Sequence, residues 1–130
     1  MDPDGGALGK MLPVFRMGLG GPIGEGNQWI SWISRQDICL LIEQIIKDDS
    51  ITGVINCVTP NPIKMKDFAK KLGLYLNRPS LLKVPSFILK ILLGDGASVV
   101  LEGQKVISNS LTKMNYKFNH LFIDDLLKEL

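Results

Sequence analysis

Residues 32–46 read WISRQDICLLIEQII, and this stretch decides the fold. Ser34 and Asp37 have the spacing of a helix-capping box, which predicts a helix that begins just after Ser34. The apolar run 53–58 follows, and its near-continuous hydrophobicity is typical of a strand covered on both faces, as in a parallel sheet. The helix carries five aliphatic residues with the spacing of a single face: Ile38, Leu41, Ile42, Ile45 and Ile46.

Helical spacing recurs along the rest of the chain, with short irregular pieces between the helices. A helix is predicted over residues 4–17, with a break or kink at Pro13 because proline lacks the backbone N–H. A second amphipathic helix is predicted whose inward residues are Met65, Phe68, Ala69, Leu72 and Leu76. Shorter elements are predicted as helices over 85–93, 97–104, 109–114 and 122–130, a strand-like run over 28–33 and a loop over 18–26.

The composition of this 130-residue chain is that of one globular domain. Hydrophobic residues make up 45% and charged residues 22%, which argues against intrinsic disorder. The net charge of +2 gives no reason to expect a nucleic acid or a membrane as a partner. No apolar run approaches the roughly 20 residues that span a bilayer, and the acidic N-terminus is unlike a signal peptide. We therefore expect a cytoplasmic protein.

Two motif tests argue against a complete nucleotide-binding or catalytic site within this chain. The glycine loop reads Gly18-x-Gly20 but has Ile23 where a dinucleotide fingerprint needs its third glycine. Neither tyrosine begins a Tyr-x-x-x-Lys pair, because the residue four positions later is Pro79 in one case and His120 in the other. No catalytic residue, cofactor-binding residue or metal ligand is therefore predicted.

The single histidine and the two cysteines are predicted to be structural. His120 is expected to be a surface or loop residue, since one histidine alone gives neither a zinc site nor a Ser-His-Asp triad. Cys39 and Cys57 lie in apolar surroundings and are predicted to be buried free thiols, with a disulfide or a metal site as the alternatives.

Four side chains near the glycine loop are candidates for a substrate pocket. Trp29 and Trp32 are three positions apart in an extended segment, which places them on opposite faces. One of them is therefore expected in the core and the other in a pocket or an interface. Arg16 and Arg35 could each clamp a phosphate or a carboxylate, and the alternative for each is a surface salt bridge.

An ordered series of short segments resembles a known family over essentially the whole chain. It begins with DGGALGKMLP (residues 4–13) and FRMGLGGPIG (residues 15–24). It continues through Trp32-Ile33, Asp37, 61–62, 68–69, 72–73, 78–79, 84–85, 92–94 and 101–106. In this order the segments resemble the C-terminal portion of one branch of the extended short-chain dehydrogenase/reductases. That branch contains NAD(P)-dependent nucleotide-sugar epimerase-like proteins, often labelled cell-division inhibitors, which end in a C-terminal domain of unknown function.

The resemblance implies an α/β fold of a particular kind. We expect the C-terminal substrate lobe of an extended Rossmann-type reductase, mostly helical with a few short strands and without the N-terminal nucleotide-binding half. Residues 1–33 would form a substrate-lobe helix and the glycine loop. Residues 34–60 would be the last helix and strand of the Rossmann domain. Residues 61–130 would form the C-terminal helical region of the substrate lobe.

The resemblance also implies a function for the chain as a part of an enzyme. We expect the substrate-binding part of an NAD(P)-dependent epimerase/dehydratase-like oxidoreductase, inactive alone because the family's glycine fingerprint and Tyr/Lys pair lie upstream of residue 1. NAD(P) is implied for the whole protein and no cofactor for this chain. The expected ligand is a nucleotide-sugar or another small molecule, and the expected partner is the N-terminal Rossmann half or a second copy of the chain. The alternative is a non-enzymatic interaction module, such as a cell-division inhibitor.

Three further expectations follow from the comparison with this family. The chain has Ser34 where the family usually has a histidine, so the helix cap is expected to persist while any polar role of that histidine is lost. It has Lys64 where the family often has a threonine, which removes a cap from the following helix. The chain is expected to be a truncated gene product, a separately encoded second half or an engineered piece.

Overall fold

The described part of the chain is mostly helical, with one small sheet. The computed structural model describes residues 1–80, 82 and 103–130. Its helices are α1 (Gly6–Arg16), α2 (Arg35–Lys47), α3 (Met65–Tyr75), α4 (Asn109–Lys113) and α5 (Ile123–Leu127). The strands β1 (Trp29–Ile30) and β2 (Ile63–Lys64) pair antiparallel, with Trp29 opposite Lys64 and Ile30 opposite Ile63. The expectation of a mostly helical lobe with a few short strands is confirmed.

Helix α1 contains Pro13 and does not break there. The helix continues to Arg16, and the N–H of Met17 donates to the carbonyl of Pro13 at 3.1 Å. Apolar residues on both sides of the proline are buried: Leu8, Met11, Leu12 and Phe15. The predicted break is therefore wrong, because core packing of this face offsets the backbone hydrogen bond that the proline removes.

Helix α2 begins where its capping residues predict. The Ser34 hydroxyl accepts a hydrogen bond from the backbone N–H of Asp37 at 3.0 Å, which satisfies one of the free donors of the first turn. Of the five aliphatic residues predicted on one face, Leu41 alone is fully buried, while Ile42 is 49% and Ile46 75% exposed. Much of the face that a sheet would cover is therefore open to solvent.

Residues 53–58 do not form the predicted strand. Gly53 adopts a left-handed φ of 85°, and Val54 is 90% exposed. Within the described residues, the backbone N–H groups of this run form no ladder with another segment, and the N–H of Thr59, just past it, reaches the carbonyl of Trp32. A strand needs a neighbour that completes its backbone hydrogen bonds, so the apolar pattern alone does not produce one here.

The hydrophobic core lies between α1, α3 and α5. Phe68, Ala69 and Leu72 of α3 are completely buried, as the sequence predicts, and Leu76 is partly buried against the same cluster. Helix α5 contributes three buried residues, Ile123, Leu126 and Leu127. This core makes α3 the central element of the lobe. Both short helices predicted near the C-terminus are present in the structure, as α4 and α5.

Part of the predicted helical pattern lies outside the described residues. This holds for the helix over 85–93 and for residues 97–102 of the helix that was predicted to follow it. Residues 103–104 are described and are not helical. Among the described residues, no helix has the length and apolar character needed to cross a bilayer.

Both cysteines are free thiols, but their predicted burial is wrong. Cys39 is exposed on α2 and Cys57 is half-buried. Both lie between residues 34 and 60, where the apolar face of the helix and the run 53–58 are largely uncovered. The two cysteines are therefore exposed for the same reason as Ile46 and Val54, because the rest of the lobe does not cover this face.

Truncation of Leu72 tests the assignment of the core. Leu72→Ala should lower the free energy of unfolding by about 2–4 kcal/mol, because the side chain is fully buried and its removal leaves a cavity. Leu74→Ala is the matched control on the same helix, since Leu74 is 67% exposed and should change stability by less than about 0.5 kcal/mol. Urea denaturation followed by circular dichroism measures both, and equal losses would contradict this packing.

Candidate functional site

A cleft of about 1050 Å³ lies beside β1 and the start of α2. Its walls are mostly apolar and come from the N-terminal segment, α1, residues 29–33, residues 57–58, the start of α3, and Gly103, Gln104 and Val106. Asp2, Asp4 and Arg35 provide a charged end. A large apolar concavity with a few convergent polar groups is the usual form of a small-molecule site.

Both tryptophans line this cleft, and they differ in burial as expected. Trp32 is 3% exposed, and its indole Nε1 donates to the carbonyl of Asn61 at 3.0 Å. Trp29 is half-buried, and the ammonium groups of Lys64 and Lys105 lie 5.4 and 4.8 Å from its ring centroid. Trp32 is therefore a core residue that also forms the cleft floor, whereas Trp29 stands at its edge.

The two candidate arginines occupy different places. Arg35 lines the cleft, and its Nε lies 2.8 Å from Asp2 Oδ2, with Asp4 further away at 3.9 Å. Because the arginine is 64% exposed, this pair contributes at most about 1 kcal/mol. Arg16 is exposed in the last turn of α1 and does not belong to the cleft lining. The structure thus brings Trp29, Trp32 and Arg35 together and leaves Arg16 apart.

The glycine loop packs closely against neighbouring segments and does not form a phosphate cradle. A Cβ on Gly20 would lie 2.3 Å from the Phe15 ring, and one on Gly21 would lie 1.8 Å from the carbonyl oxygen of Leu82. These glycines therefore allow close packing, and their backbone is not open to a pyrophosphate. The residues present do not fit a dinucleotide at this loop. The described residues also contain no group of three or more His, Cys, Asp or Glu side chains placed to share a metal ion.

A buried carboxylate, Asp37, connects α2 to the C-terminal segment. Its Oδ1 accepts the backbone N–H of Asn119 at 2.7 Å, and its Oδ2 accepts the N–H of His120 at 3.0 Å and the hydroxyl of Ser34 at 2.8 Å. The hydroxyl of Tyr116 donates to the Asp37 carbonyl at 2.9 Å. Burial alone would raise the pKa of Asp37, but the hydrogen bonds from Asn119, Ser34 and His120 outweigh it and hold the pKa below its ordinary value.

His120 is buried beside this carboxylate, so its predicted place at the surface is wrong although it does lie in a loop. The Ser34 hydroxyl already donates to Asp37, and therefore accepts from His120 Nδ1, 3.1 Å away. The other ring nitrogen, Nε2, lies 2.8 Å from a carboxylate oxygen of Glu129, which can only accept. The His120 ring is therefore held between the buried Ser34–Asp37 pair on one side and Glu129 on the other.

Comparison with known proteins shows which proteins the sequence and fold of this chain are similar to. The chain is 46% identical over 127 residues to the "Epimerase family protein SDR39U1 homolog, chloroplastic" of Arabidopsis thaliana, covering 98% of this chain and 37% of that protein. The crystal structure of human epimerase family protein SDR39U1 (isoform 2) with NADPH superposes with a TM-score of 0.90 at 35% identity, over 99% of this chain and 44% of that one. Over nearly its whole length the chain is similar to the C-terminal part of these epimerase-family proteins. Its sequence and fold are those of a C-terminal part of an extended short-chain dehydrogenase/reductase.

Two further matches agree with this similarity to epimerase-family proteins. The family described as "Domain of unknown function (DUF1731)" matches residues 84–130. A nucleoside-diphosphate sugar epimerase from Corynebacterium glutamicum superposes with a TM-score of 0.73 at 26% identity, over all of this chain and 24% of that one. The chain spans only 37–44% of the length of its first curated relatives.

The structure shows what occurs at the two positions where the resemblance implies a departure from the family pattern. Ser34, where the resemblance implies a histidine, caps α2 as expected and also contacts Asp37 and His120. Lys64 occupies the N-cap of α3 and makes no side-chain cap hydrogen bond, as predicted. The sequence indicated Ser34 and Asp37 only as capping residues, and nothing in the spacing of Asn119 or His120 pointed to their shared contact with Asp37.

Asp37→Asn tests the role of the buried carboxylate. The amide nitrogen would face N–H or O–H donors, so the free energy of unfolding should fall by about 2–4 kcal/mol at pH 7. Because the pKa of Asp37 is lower in the folded than in the unfolded chain, its contribution to stability is complete above the unfolded pKa and is lost as pH falls through the folded pKa. Urea denaturation between pH 7 and 3 should therefore show a smaller acid-induced loss for the variant.

Asp49→Asn provides the control, because Asp49 is exposed beyond the end of α2. It removes the same charge and should leave stability at pH 7 and its decline in acid close to those of the parent chain. Equal behaviour of Asp37→Asn and Asp49→Asn would show that the buried carboxylate is not specially stabilised.

Proposed function

We propose that this chain is the substrate-binding part of an NAD(P)-dependent epimerase-family oxidoreductase and that it transfers no hydride alone. The observation that carries the proposal is the large apolar cleft with a charged end, in a lobe matching the C-terminal part of proteins in the epimerase family. The human relative is described with NADPH, which supports NAD(P) as the cofactor of the whole protein. A nucleotide-sugar or another small molecule is the proposed ligand of the cleft, and the proposed location is cytoplasmic.

Within the cleft, each candidate residue has a proposed part. Trp29 and Trp32 would pack against the apolar portion of the ligand, since both line the cleft wall. Arg35 would hold a charged group at the end near Asp2 and Asp4, exchanging an exposed ion pair for a ligand contact. Arg16 lies apart from the cleft, so it would contact only a part of the ligand that extends beyond the cleft, or another chain.

The proposed domain organisation assigns a docking role to residues 34–60. Ile42, Ile46 and Val54 expose 49%, 75% and 90% of their surface, and no strand among the described residues pairs with the apolar run 53–58. An N-terminal Rossmann half would cover α2 and complete the backbone hydrogen bonds of this run. Residues 1–33 and 61–130 would then form the substrate lobe around the cleft.

Self-association is a second candidate, supported by the same exposed face. Without a Rossmann half, burial of Ile46 and Val54 against another copy would remove apolar surface from water. A non-enzymatic interaction module, such as a cell-division inhibitor, would use this surface as well. These candidate functions therefore differ in which molecule covers the exposed face of residues 34–60.

Docking is tested by mixing the chain with the N-terminal Rossmann half of the Arabidopsis thaliana relative. Size-exclusion chromatography with light scattering should show a one-to-one complex. The double variant Ile46→Lys/Val54→Lys should weaken it by at least tenfold, because two lysines would be placed in an apolar interface. Leu74→Lys is the matched control, since Leu74 is 67% exposed on α3, outside residues 34–60, and should leave the complex intact.

Several outcomes would count against docking. A parent chain that forms only homodimers, which the double variant dissolves, would favour self-association. A complex that survives Ile46→Lys/Val54→Lys unchanged would place the contact elsewhere on the chain.

Cofactor binding is tested by titrating NADPH into the chain alone and into the mixture with the Rossmann half. The chain alone should show no binding at micromolar concentrations, because its glycine loop is closed by Phe15 and Leu82. The mixture should enhance NADPH fluorescence in a saturable way. Micromolar affinity of the chain alone would contradict the proposed division of labour.

A further inference from the structure

The described lining of the cleft is mostly apolar, and several of its residues belong to the core. Trp32, Met65 and Phe68 line the cleft and are almost completely buried. Ile30 and Val106 line it as well and are partly buried. Such walls gain free energy when apolar ligand surface leaves water, and aliphatic side chains offer no hydrogen bond to a hydroxyl group. The lining therefore favours a ligand with an apolar carbon skeleton.

Two polar groups in these walls already have partners within the protein. The Ser31 hydroxyl donates to the carbonyl of Gln104 at 2.7 Å and accepts the N–H of Val106 at 2.8 Å. The indole N–H of Trp32 donates to the carbonyl of Asn61 at 3.0 Å. A sugar hydroxyl beside these groups would lose its hydration without a side chain to replace it, which disfavours binding.

The charged end of the cleft is internally paired. Asp2 Oδ2 lies 2.8 Å from Arg35 Nε, and Asp2 Oδ1 accepts the backbone N–H of Asp4 at 2.9 Å. The Met1 ammonium donates to the carbonyl of Ile33. Two carboxylates thus accompany one guanidinium and one ammonium, so this end has no excess of positive charge. It can hold a single polar group but does not attract a group with several negative charges.

The shape of the cleft is fixed by main-chain contacts between segments that are distant in sequence. The N–H of Trp29 donates to the carbonyl of Gly103 at 3.3 Å. A Cβ on Gly103 would lie 1.8 Å from the carbonyl oxygen of Trp29, so only glycine allows this approach. The segment that carries Val106 is therefore held beside β1, and a preformed wall costs little ordering when a ligand binds.

We propose that the cleft binds an apolar small molecule with a single polar group, such as a long-chain or polycyclic alcohol or ketone, and not a nucleotide-sugar. The carbon skeleton would pack against Trp29, Trp32 and Val106. The polar group would lie at the end formed by Asp2 and Arg35. This inference narrows the ligand class of the proposed function and rests on the cleft being the substrate site.

The ligand class is tested on the full chain with N-phenyl-1-naphthylamine, an apolar amine whose fluorescence rises in apolar surroundings. Its fluorescence should increase saturably with a Kd of about 100 µM or lower. The alcohol 1-decanol should displace it. UDP-glucose should not displace it at about 1 mM, a concentration at which even weak specific ligands compete.

Matched variants locate the bound amine. Val106→Asn places an amide in the apolar wall, and Ala7→Trp fills part of the cleft, so each should raise the Kd at least fivefold. Ile107→Asn is the control for the first, because Ile107 is 57% exposed and does not line the cleft. Ile46→Lys/Val54→Lys should also leave the Kd unchanged within about twofold, which separates the cleft from the exposed face of residues 34–60. Thermal unfolding of every variant confirms that it is folded.

Several results would overturn the proposed ligand class. These are an absence of saturable binding, displacement by UDP-glucose, or an equal loss of affinity in Val106→Asn and Ile107→Asn. Loss of binding in Ile46→Lys/Val54→Lys would place the amine on the exposed face. Binding that disappears once the Rossmann half has docked would show that this half, and not a small molecule, occupies the cleft.

Failure of the ligand class is distinguishable from failure of the proposed function. A chain that docks with the Rossmann half but binds UDP-glucose in place of the apolar amine would retain the function and lose the ligand class. Binding of the amine in the cleft by a chain that docks with no Rossmann half would show the reverse.

Discussion

The carboxylate of Asp37 is removed from solvent, and a charge in that position is tolerated only where donors surround it. Those donors come from the cap of α2 and from the backbone of residues 119–120, more than 80 positions later in the sequence. Each hydrogen bond to a charged group is typically worth about 1.5–3 kcal/mol. Asp37 therefore anchors the C-terminal segment to α2, and the position of α5 against α3 depends partly on it.

A second connection between the same regions reinforces this anchor. Lys71 of α3 donates to Asp124 at 2.5 Å, and this contact lowers the pKa of the Asp124 carboxyl, with Tyr75 contributing a smaller effect. Asp125 accepts the N–H of Phe122 at the start of α5. The C-terminal segment is thus held by one deeply buried charge and one partly exposed pair, around the apolar contacts of Leu126 and Leu127 with the core.

Short-range sequence patterns correctly predicted the elements that depend on residues close together in the sequence. The cap at Ser34, the inward face of α3 and the short helices near the C-terminus depend on residues a few positions apart. The errors concern residues whose environment is set from far away. Pro13 remains helical because of the core. The run 53–58 has no partner strand in the part of the chain that the structure describes, and the cysteines lie on a largely uncovered face.

The candidate site follows the same division between local and distant causes. Trp29 and Trp32 could be chosen because aromatic side chains near a glycine loop suggest a pocket, and Arg35 lies next to them in sequence. The wall residue Val106 could not be chosen, because only the close approach at Gly103 brings its segment to Trp29. Likewise, the contact of His120 with Ser34 depends on a fold that no short-range pattern encodes.

The different surroundings of the two tryptophans give the chain its own spectroscopic reporters. Trp32 is enclosed by the core, so its emission responds to the integrity of the lobe as a whole. Trp29 has an ammonium group within about 5 Å of its ring centroid, and its emission responds to events at the mouth of the cleft. Replacing either indole with phenylalanine would separate the two signals, so that folding and occupancy of the cleft can be followed in one sample without an added dye.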